Sequence, residues 1–563
     1  MSSPRPSSIS DRSERVWAYG TGVVWAAATS AVLASWRSQS GILEIRYRLD
    51  DAQAREGTSS AFTDPARQER ITHLDCKQGR VAAQNLVGSA WQPPSAAGEL
   101  ALISPWTGKV IGSVGTSGPA DVASIVAAAR EPAASWAKVP LKERVRPLAR
   151  FHELVTEALP ELSQLVSLES GKTEAEARAG LLRGLEVVEF AQSLPNLDRG
   201  GALEVSRGVT CEYRREPLGI VAGIAPFNFP AMVPMWMFPI AITLGNAFIL
   251  KPSEKAPLTA CRLAELMLAA GYAPGLFSVL QGGRTAVEAL IDHPEVRAVG
   301  FVGSTAAARA VHARTTALGK RALCLGGAKN HLIVAPDANE ALTIKSIVDS
   351  FTGCAGQRCM AGSVMVVVGE AERFVAKVVA AASRIELGKD MGALIDGAAH
   401  ARLTAGLAEA SREGAQILLD GRVQTAPAGF EAGHWLGPSV IDQVTPNMQS
   451  AQVELFGPIL SVIHVATLDE ALALEQLSPY GNATSIFTQS GAVGSYVAER
   501  ATSGMIGINI GVPVPREPFS FGGTKDSKFG QGDMTGPAGV ELWSNLKKIT
   551  SKWAIAEDAT WMS

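Results

Sequence analysis

Apolar residues recur three and four positions apart over 120–137, 141–159, 162–170 and 175–192, a spacing that predicts a run of helices. The pattern then changes. Short continuous apolar runs follow at Leu218–Ala225, Asn246–Lys251, Phe277–Leu280 and Val296–Val302, and these read as buried strands. Helical spacing returns between them over 258–270 and 286–291, and again after Gly303-Ser304-Thr305 as far as Leu318. Strand and helix in alternation predict a parallel, doubly wound sheet. Residues 321–334 are strand-like around Gly326-Gly327, and 337–351 reads as a helix. A second α/β unit begins at Val364–Val368, with a helix to Ile385 and strands at 417–419, 440–441, 460–465 and 485–487. Three further stretches stand outside this rhythm. ALISPWTGKVIGSV at 101–114 reads as two strands about a Pro-Trp-Thr-Gly turn, 206–218 as a polar strand pair, and VELWSNLKKITSKW as an alternating amphipathic end suited to pairing with another subunit.

Residues 1–81 have a different texture. The first fifteen are rich in Ser, Pro and Arg and read as disordered. Val16–Trp36 is uncharged and long enough to cross a bilayer of about 30 Å, although Ala, Ser, Thr, Gly and Val make it only weakly apolar. Gly20-Thr21-Gly22 lacks the third glycine of a dinucleotide fingerprint. A membrane anchor or export signal, a weakly structured extension, and upstream sequence absent from the working protein all remain open, the last two being favoured.

Composition narrows the classes. With 563 residues, 47% of them hydrophobic and 19% charged, the chain suits two or three globular domains. A net charge of -3 with scattered basic residues argues against a nucleic-acid partner. Cys76, Cys211, Cys261, Cys324, Cys354 and Cys359 lack CxxC spacing, so neither a metal site nor a disulfide framework is indicated and a reducing cytoplasm fits.

Within FTGCAGQRCMAGS at 351–363, Cys359 stands among small residues that let substrate approach closely, which suits a thiolate nucleophile. The bland alternative is a small buried apolar residue. Cys354 could compete with it, or close a disulfide under oxidation, though packing explains it as well. The strand ending at Ala225 runs into Pro226-Phe227-Asn228-Phe229-Pro230, a turn at a sheet's carboxyl edge, where ligands collect in open α/β sheets. Asn228 would either satisfy the turn or donate to an oxyanion. Gly303-Ser304-Thr305 at a helix start suits a pyrophosphate, and Lys251 and Glu254 at the neighbouring strand end suit ribose hydroxyls. Arg183 is odd within a helical apolar stripe, and snorkelling would account for it. Glu454 before Gly457-Pro458 could be an ordinary surface glutamate. Asn482-Ala483-Thr484 is a glycosylation sequon in form only.

APFNFP, ILKPSE and ELFGP, with the longer strings GIAPFNFPAMVPMWMFPIAI, GAKNH, GQRCMA, GINIGVPVPREPFSFGG and KKITSKW, resemble the aldehyde dehydrogenase superfamily. The resemblance is to its CoA-acylating methylmalonate-semialdehyde dehydrogenases and runs from about 82 to 553. It implies a Rossmann-type NAD-binding domain over 82–205 and 219–325 and an α/β catalytic domain over 326–510. A β oligomerisation arm and carboxy-terminal segment over 206–218 and 511–555 would follow, with 1–81 as an extension outside the family. It also implies Cys359 as nucleophile, Asn228 as oxyanion donor, Phe227, Lys251, Glu254, Ser304 and Glu454 at NAD, and Arg183 and Arg358 on the substrate carboxylate. Arg358 beside Cys359 should also lower the thiol pKa.

Hydrolytic relatives resemble one another in a Glu-Leu-Gly-Gly run whose glutamate activates water. Here Leu325-Gly326-Gly327 puts Leu325 in the glutamate's place, so a thioester on Cys359 would wait for CoA as cosubstrate. The implied protein is a cytoplasmic homo-oligomer, dimer or tetramer, acting on a small semialdehyde in valine catabolism, with no metal. Two alternatives stay open: a CoA-independent aldehyde dehydrogenase of other specificity, and a non-catalytic protein on this scaffold. Leu387–Arg402 looks several residues shorter than in relatives, which would shift a loop at the edge of the catalytic domain.

Overall fold

A computed structural model describes residues 81–95, 98–198 and 200–553. The readings of the amino-terminal run fall outside these residues. Among the described residues no helix is long and apolar enough to cross a membrane.

The first large sheet holds five parallel strands in the order Arg321–Leu325, Val296–Val302, Ile220–Ile224, Ala247–Lys251, Phe277–Val279. The strand that comes first in the chain is therefore central. The chain winds outward on one side and then crosses to the other, which makes a topological switch point between the carboxyl ends of Ile220–Ile224 and Val296–Val302. Nearly every residue of these strands is buried, because both faces are covered. Helix Met232–Thr243 is buried at every position, as its all-round apolar sequence requires. Its Phe238 meets the rings of Phe151 and Phe277 with centroids 5.5 and 5.0 Å apart. Antiparallel strands close both edges, Asn85–Val87 with Ala90–Gln92 on one and Lys528–Phe529 on the other, leaving no long exposed ladder.

The second sheet runs Gln416–Leu419, Ser439–Asp442, Ile459–Val465, Gly362–Val368, Asn330–Val334, Ala483–Phe487, Met505–Ile508, with only its first strand antiparallel. The strand-like run 321–334 is thus two strands in two different sheets, with 326–329 as the crossing. Glycine is required in the crossing: a Cβ on Gly326 would stand 2.8 Å from the Asp526 carbonyl oxygen, and one on Gly327 would collide with the Glu454 carboxylate.

Strands Gly201–Ser206, Val209–Pro217 and Ser544–Lys552 form a separate three-stranded arm. Residues 206–218 are therefore not a strand pair. The tight turn falls earlier, at Arg207-Gly208, where Gly208 takes φ +72°, and the first strand begins at Gly201. The alternating carboxy-terminal end pairs with its own chain, from Ser544 opposite Pro217 to Lys552 opposite Val209. Leu203, Val205 and Leu546 remain exposed on this arm. The expected helix over 175–192 runs on to Leu197, and that over 162–170 begins at Leu159.

Candidate active site

Helix Glu340–Thr352 delivers the chain to a loop that bends through left-handed backbone at Cys354 (φ 56°), Ala355 (φ 51°) and Gly356 (φ 65°). Side chains rarely tolerate this, and here packing imposes it. The Cys354 N–H donates to Glu176, and Gly356 lies so close to the Gly457 carbonyl that a Cβ would overlap it. Gln357 is buried, donating to the Ala393 carbonyl at 3.3 Å and accepting from the Ile395 N–H at 3.0 Å. The segment 387–402 thereby clamps the loop, whatever its length.

Cys359 follows, with its carbonyl held by two side-chain amides. Asn330 Nδ2 donates to it at 2.7 Å and to the Ala361 carbonyl at 2.9 Å, while Asn330 Oδ1 accepts from the Ala483 N–H at 3.0 Å. Asn482 Nδ2 donates to the same Cys359 carbonyl at 2.9 Å. Neither asparagine was legible as a site residue. Asn330 lay inside the GAKNH string, and Asn482 read as a sequon, whereas its amide is buried against the nucleophile loop.

Asn228 reaches this loop from the other sheet. The strand Ile220–Ile224 ends, the two prolines stop it, and Asn228 Nδ2 donates to the Gln357 carbonyl at 2.9 Å. One N–H of the amide is thus engaged by the Cys359 loop. Phe227 stands edge-on to Phe456, centroids 6.0 Å apart, in the wall between the two sheets.

Ser304 follows the carboxyl end of Val296–Val302, at the switch point, and Lys251 ends the strand on the other side of Ile220–Ile224. Ser304 caps helix Thr305–Ala317 through its backbone, while its hydroxyl makes no capping bond to that helix. The hydroxyl and the helix N-terminus together suit a pyrophosphate. Lys251 Nζ lies 3.4 Å from Glu254 Oε2. Burial lowers the lysine pKa and the Glu254 charge opposes that shift.

Glu454 lines a cleft with Cys359. Its Oε1 accepts from the Ala328 N–H at 2.9 Å, and it lines one cleft with Cys359, Arg358, Ala328 and Gly457. Burial pushes its carboxyl up to about 7, while the Ala328 N–H and the Lys329 and Arg402 charges pull it down. Burial and the Glu454 charge push the Cys359 thiol up to about 12. Arg358 does draw it downward, as its position implied, but burial outweighs that charge.

The arginines are both partly engaged by the protein. Arg358 donates to the carbonyls of Asp349 and Ser350 at the end of helix Glu340–Thr352, and its buried Nε has no partner. Arg183 pairs with Glu186 and donates to the Pro515 carbonyl at 2.8 Å. A third cation escaped the sequence reading: Lys172 is buried with Nζ 3.2 Å from the Phe229 ring centroid. Its signal was a lysine inside the otherwise small and polar LESGK run.

Counted residue for residue, Glu-Leu-Gly-Gly falls on Cys324-Leu325-Gly326-Gly327, so Cys324 rather than Leu325 takes the glutamate's position. Both are buried, and burial pushes the Cys324 thiol up to about 12. The conclusion that no carboxylate stands there is unchanged.

Comparison with known proteins bears on this arrangement. Residues 91–549 match the model of the aldehyde dehydrogenase family. Malonate-semialdehyde dehydrogenase 1 of Geobacillus kaustophilus (strain HTA426) is 41% identical over 84% of this chain and 97% of its own length. A methylmalonate-semialdehyde dehydrogenase from Oceanimonas doudoroffii superposes with a TM-score of 0.83 at 37% identity, covering 84% of this chain and 99% of that one. A Sinorhizobium meliloti 1021 protein named for the same activity, solved with NAD, gives a TM-score of 0.84 at 38% identity over 85% of this chain and 100% of its own.

Proposed function

The chain belongs to the aldehyde dehydrogenase family, and from that premise we propose that it oxidises malonate or methylmalonate semialdehyde and passes the acyl group to CoA, releasing carbon dioxide. The observation that carries this reading is a loop cysteine whose backbone carbonyl is held by the Asn330 and Asn482 amides, while the position of the hydrolytic relatives' glutamate holds the buried thiol of Cys324.

Cys359 attacks the aldehyde carbon. The second N–H of Asn228 and the Cys359 backbone N–H face the oxygen as it gains charge, and such donors act strongly in a site that excludes water. Ser304, Lys251, Glu254 and the turn at Phe227 would hold NAD, which would supply the hydride acceptor. Glu454, in the cleft that it shares with Cys359, would contribute a ribose contact. The thioester left on Cys359 serves as an electron sink while the β-carboxylate leaves. Arg183 and Arg358 orient that carboxylate through the guanidinium N–H groups that the protein does not already use. CoA then takes the acyl group as acetyl-CoA or propionyl-CoA.

Exposed Leu203, Val205 and Leu546 on the arm support assembly into a homo-oligomer. The free cysteines at 211, 261, 324, 354 and 359 support a cytoplasmic setting. A single-turnover assay with both semialdehydes, with and without CoA, tests the function. The expected result is one equivalent of NADH without CoA and steady turnover with it. Steady turnover without CoA would overturn the acyl-transfer reading, and NAD binding without any NADH would overturn catalysis.

A further inference from the structure

The transfer to CoA needs a proton acceptor. A CoA-type thiol has a pKa of about 8.5, so only a few per cent is thiolate at neutral pH, and the thiolate is the attacking species. The position of the hydrolytic relatives' glutamate, in strand Arg321–Leu325, holds Cys324, a buried thiol. Among the described residues that line a cleft with Cys359, Glu454 is the one carboxylate.

That carboxylate is oriented. Oε1 is fixed by the Ala328 N–H at 2.9 Å, and Oε2 presses on Gly327, where any Cβ would displace it. It touches Cys359 electrically, since its charge is one of the influences raising the thiol pKa.

We propose that Glu454 accepts the proton of the incoming CoA thiol and delivers it to Cys359 as the acyl group moves. The inference rests on the CoA-acylating reading. In the step, the S–H bond of CoA breaks and its proton passes to the Glu454 carboxylate. The CoA sulfur bonds the acyl carbon, the bond from that carbon to Cys359 Sγ breaks, and the departing thiolate takes the proton back. No oxidant or reductant is consumed.

The groups facing Glu454 tune it. Lys329 and Arg402 hold its carboxyl down, Ala328 does so through its N–H, and burial pushes it up to about 7. Cys359 and Tyr480 also feel its charge, and Arg358 lines the same cleft. A base titrating near neutrality is well matched to the task.

The test bypasses NAD. p-Nitrophenyl propionate acylates Cys359 directly, nitrophenolate release reports the acyl-enzyme, and propionyl-CoA formation is then followed against pH. The native enzyme should transfer faster as pH rises through about 7 and then level off. Glu454→Gln should lose that inflection and transfer to CoA about 10²- to 10⁴-fold more slowly. A thiol already ionised at neutral pH, pentafluorothiophenol, should discharge both enzymes at similar rates. If the variant acylates poorly, Glu454→Asp carries the test and should keep the inflection at a reduced rate. An unchanged profile in Glu454→Gln, equal losses with both thiols, or a lost inflection in Glu454→Asp would overturn the proposal. A native acyl-enzyme that CoA does not discharge would instead overturn the reading beneath it.

Discussion

Asn228 donates to the Gln357 carbonyl at 2.9 Å, so the turn that ends a strand of the first sheet is bonded two residues ahead of Cys359. One contact thus ties the Asn228 turn to the loop that carries Cys359. Losing that side chain should therefore damage chemistry and stability together.

Asn228→Ala should lower the rate of Cys359 acylation by about 10²- to 10³-fold, the usual effect of losing one oxyanion donor. It also leaves the Gln357 carbonyl unpaired, at about 1–3 kcal/mol. Stopped-flow NADH bursts and a melting curve check the two effects. A full-size burst at the native rate would remove Asn228 from the oxyanion site.

The arginines separate by their other contacts. Arg183→Gln should raise KM for a carboxylated semialdehyde far more than for propanal. Arg358→Gln should do the same and also lower Tm, because Arg358 caps the carbonyls of Asp349 and Ser350. Equal losses on both aldehydes in Arg183→Gln would argue against a carboxylate clamp.

The pH dependence of stability should show Glu169. This buried carboxyl accepts from the Leu258 and Thr259 N–H groups at 2.7 and 3.0 Å, yet burial outweighs those bonds and pushes it up to about 7. The folded state holds this proton more tightly than the unfolded chain. The stabilisation is complete below about 4.5, the ordinary value, and is lost as pH rises through about 7. Plotted against pH, the Tm of the native protein relative to Glu169→Gln should fall across that window and stay flat above it. A rise would contradict the assignment.

Asn330→Ala strips one amide from the Cys359 and Ala361 carbonyls and one acceptor from the Ala483 N–H. With Asn482 still in place the loop should fold, but with a Tm several degrees lower. Cys359 should also lose its fixed aim, so acylation by p-nitrophenyl propionate slows while plain alkylation by iodoacetamide does not. Parallel losses in both reactions would mean that the thiol itself, rather than its direction, has changed.

Much of this was legible along the chain. The strand Val296–Val302, its Gly-Ser-Thr turn and the succession of helices follow from periodicity and turn residues, because a buried parallel strand must be apolar throughout and helices must show one apolar face. Cys359 and Asn228 stood out because small residues and prolines mark places where a regular element stops. Motif likeness added the family.

What the chain could not show is which distant segments meet. The run 321–334 has one strand-like pattern, yet a glycine crossing sends its halves into different sheets, since only there can the backbone slip past Asp526 and Glu454. The carboxy-terminal strand had the alternation of an exposed pairing edge, and its partner turned out to be Val209–Pro217 of the same chain. Glu454, Asn330 and Asn482 are brought to Cys359 only by the fold. Local pattern reports which way each residue faces within its own element. Burial, and with it the charge a carboxyl or thiol can hold, depends on what the rest of the fold brings against that face.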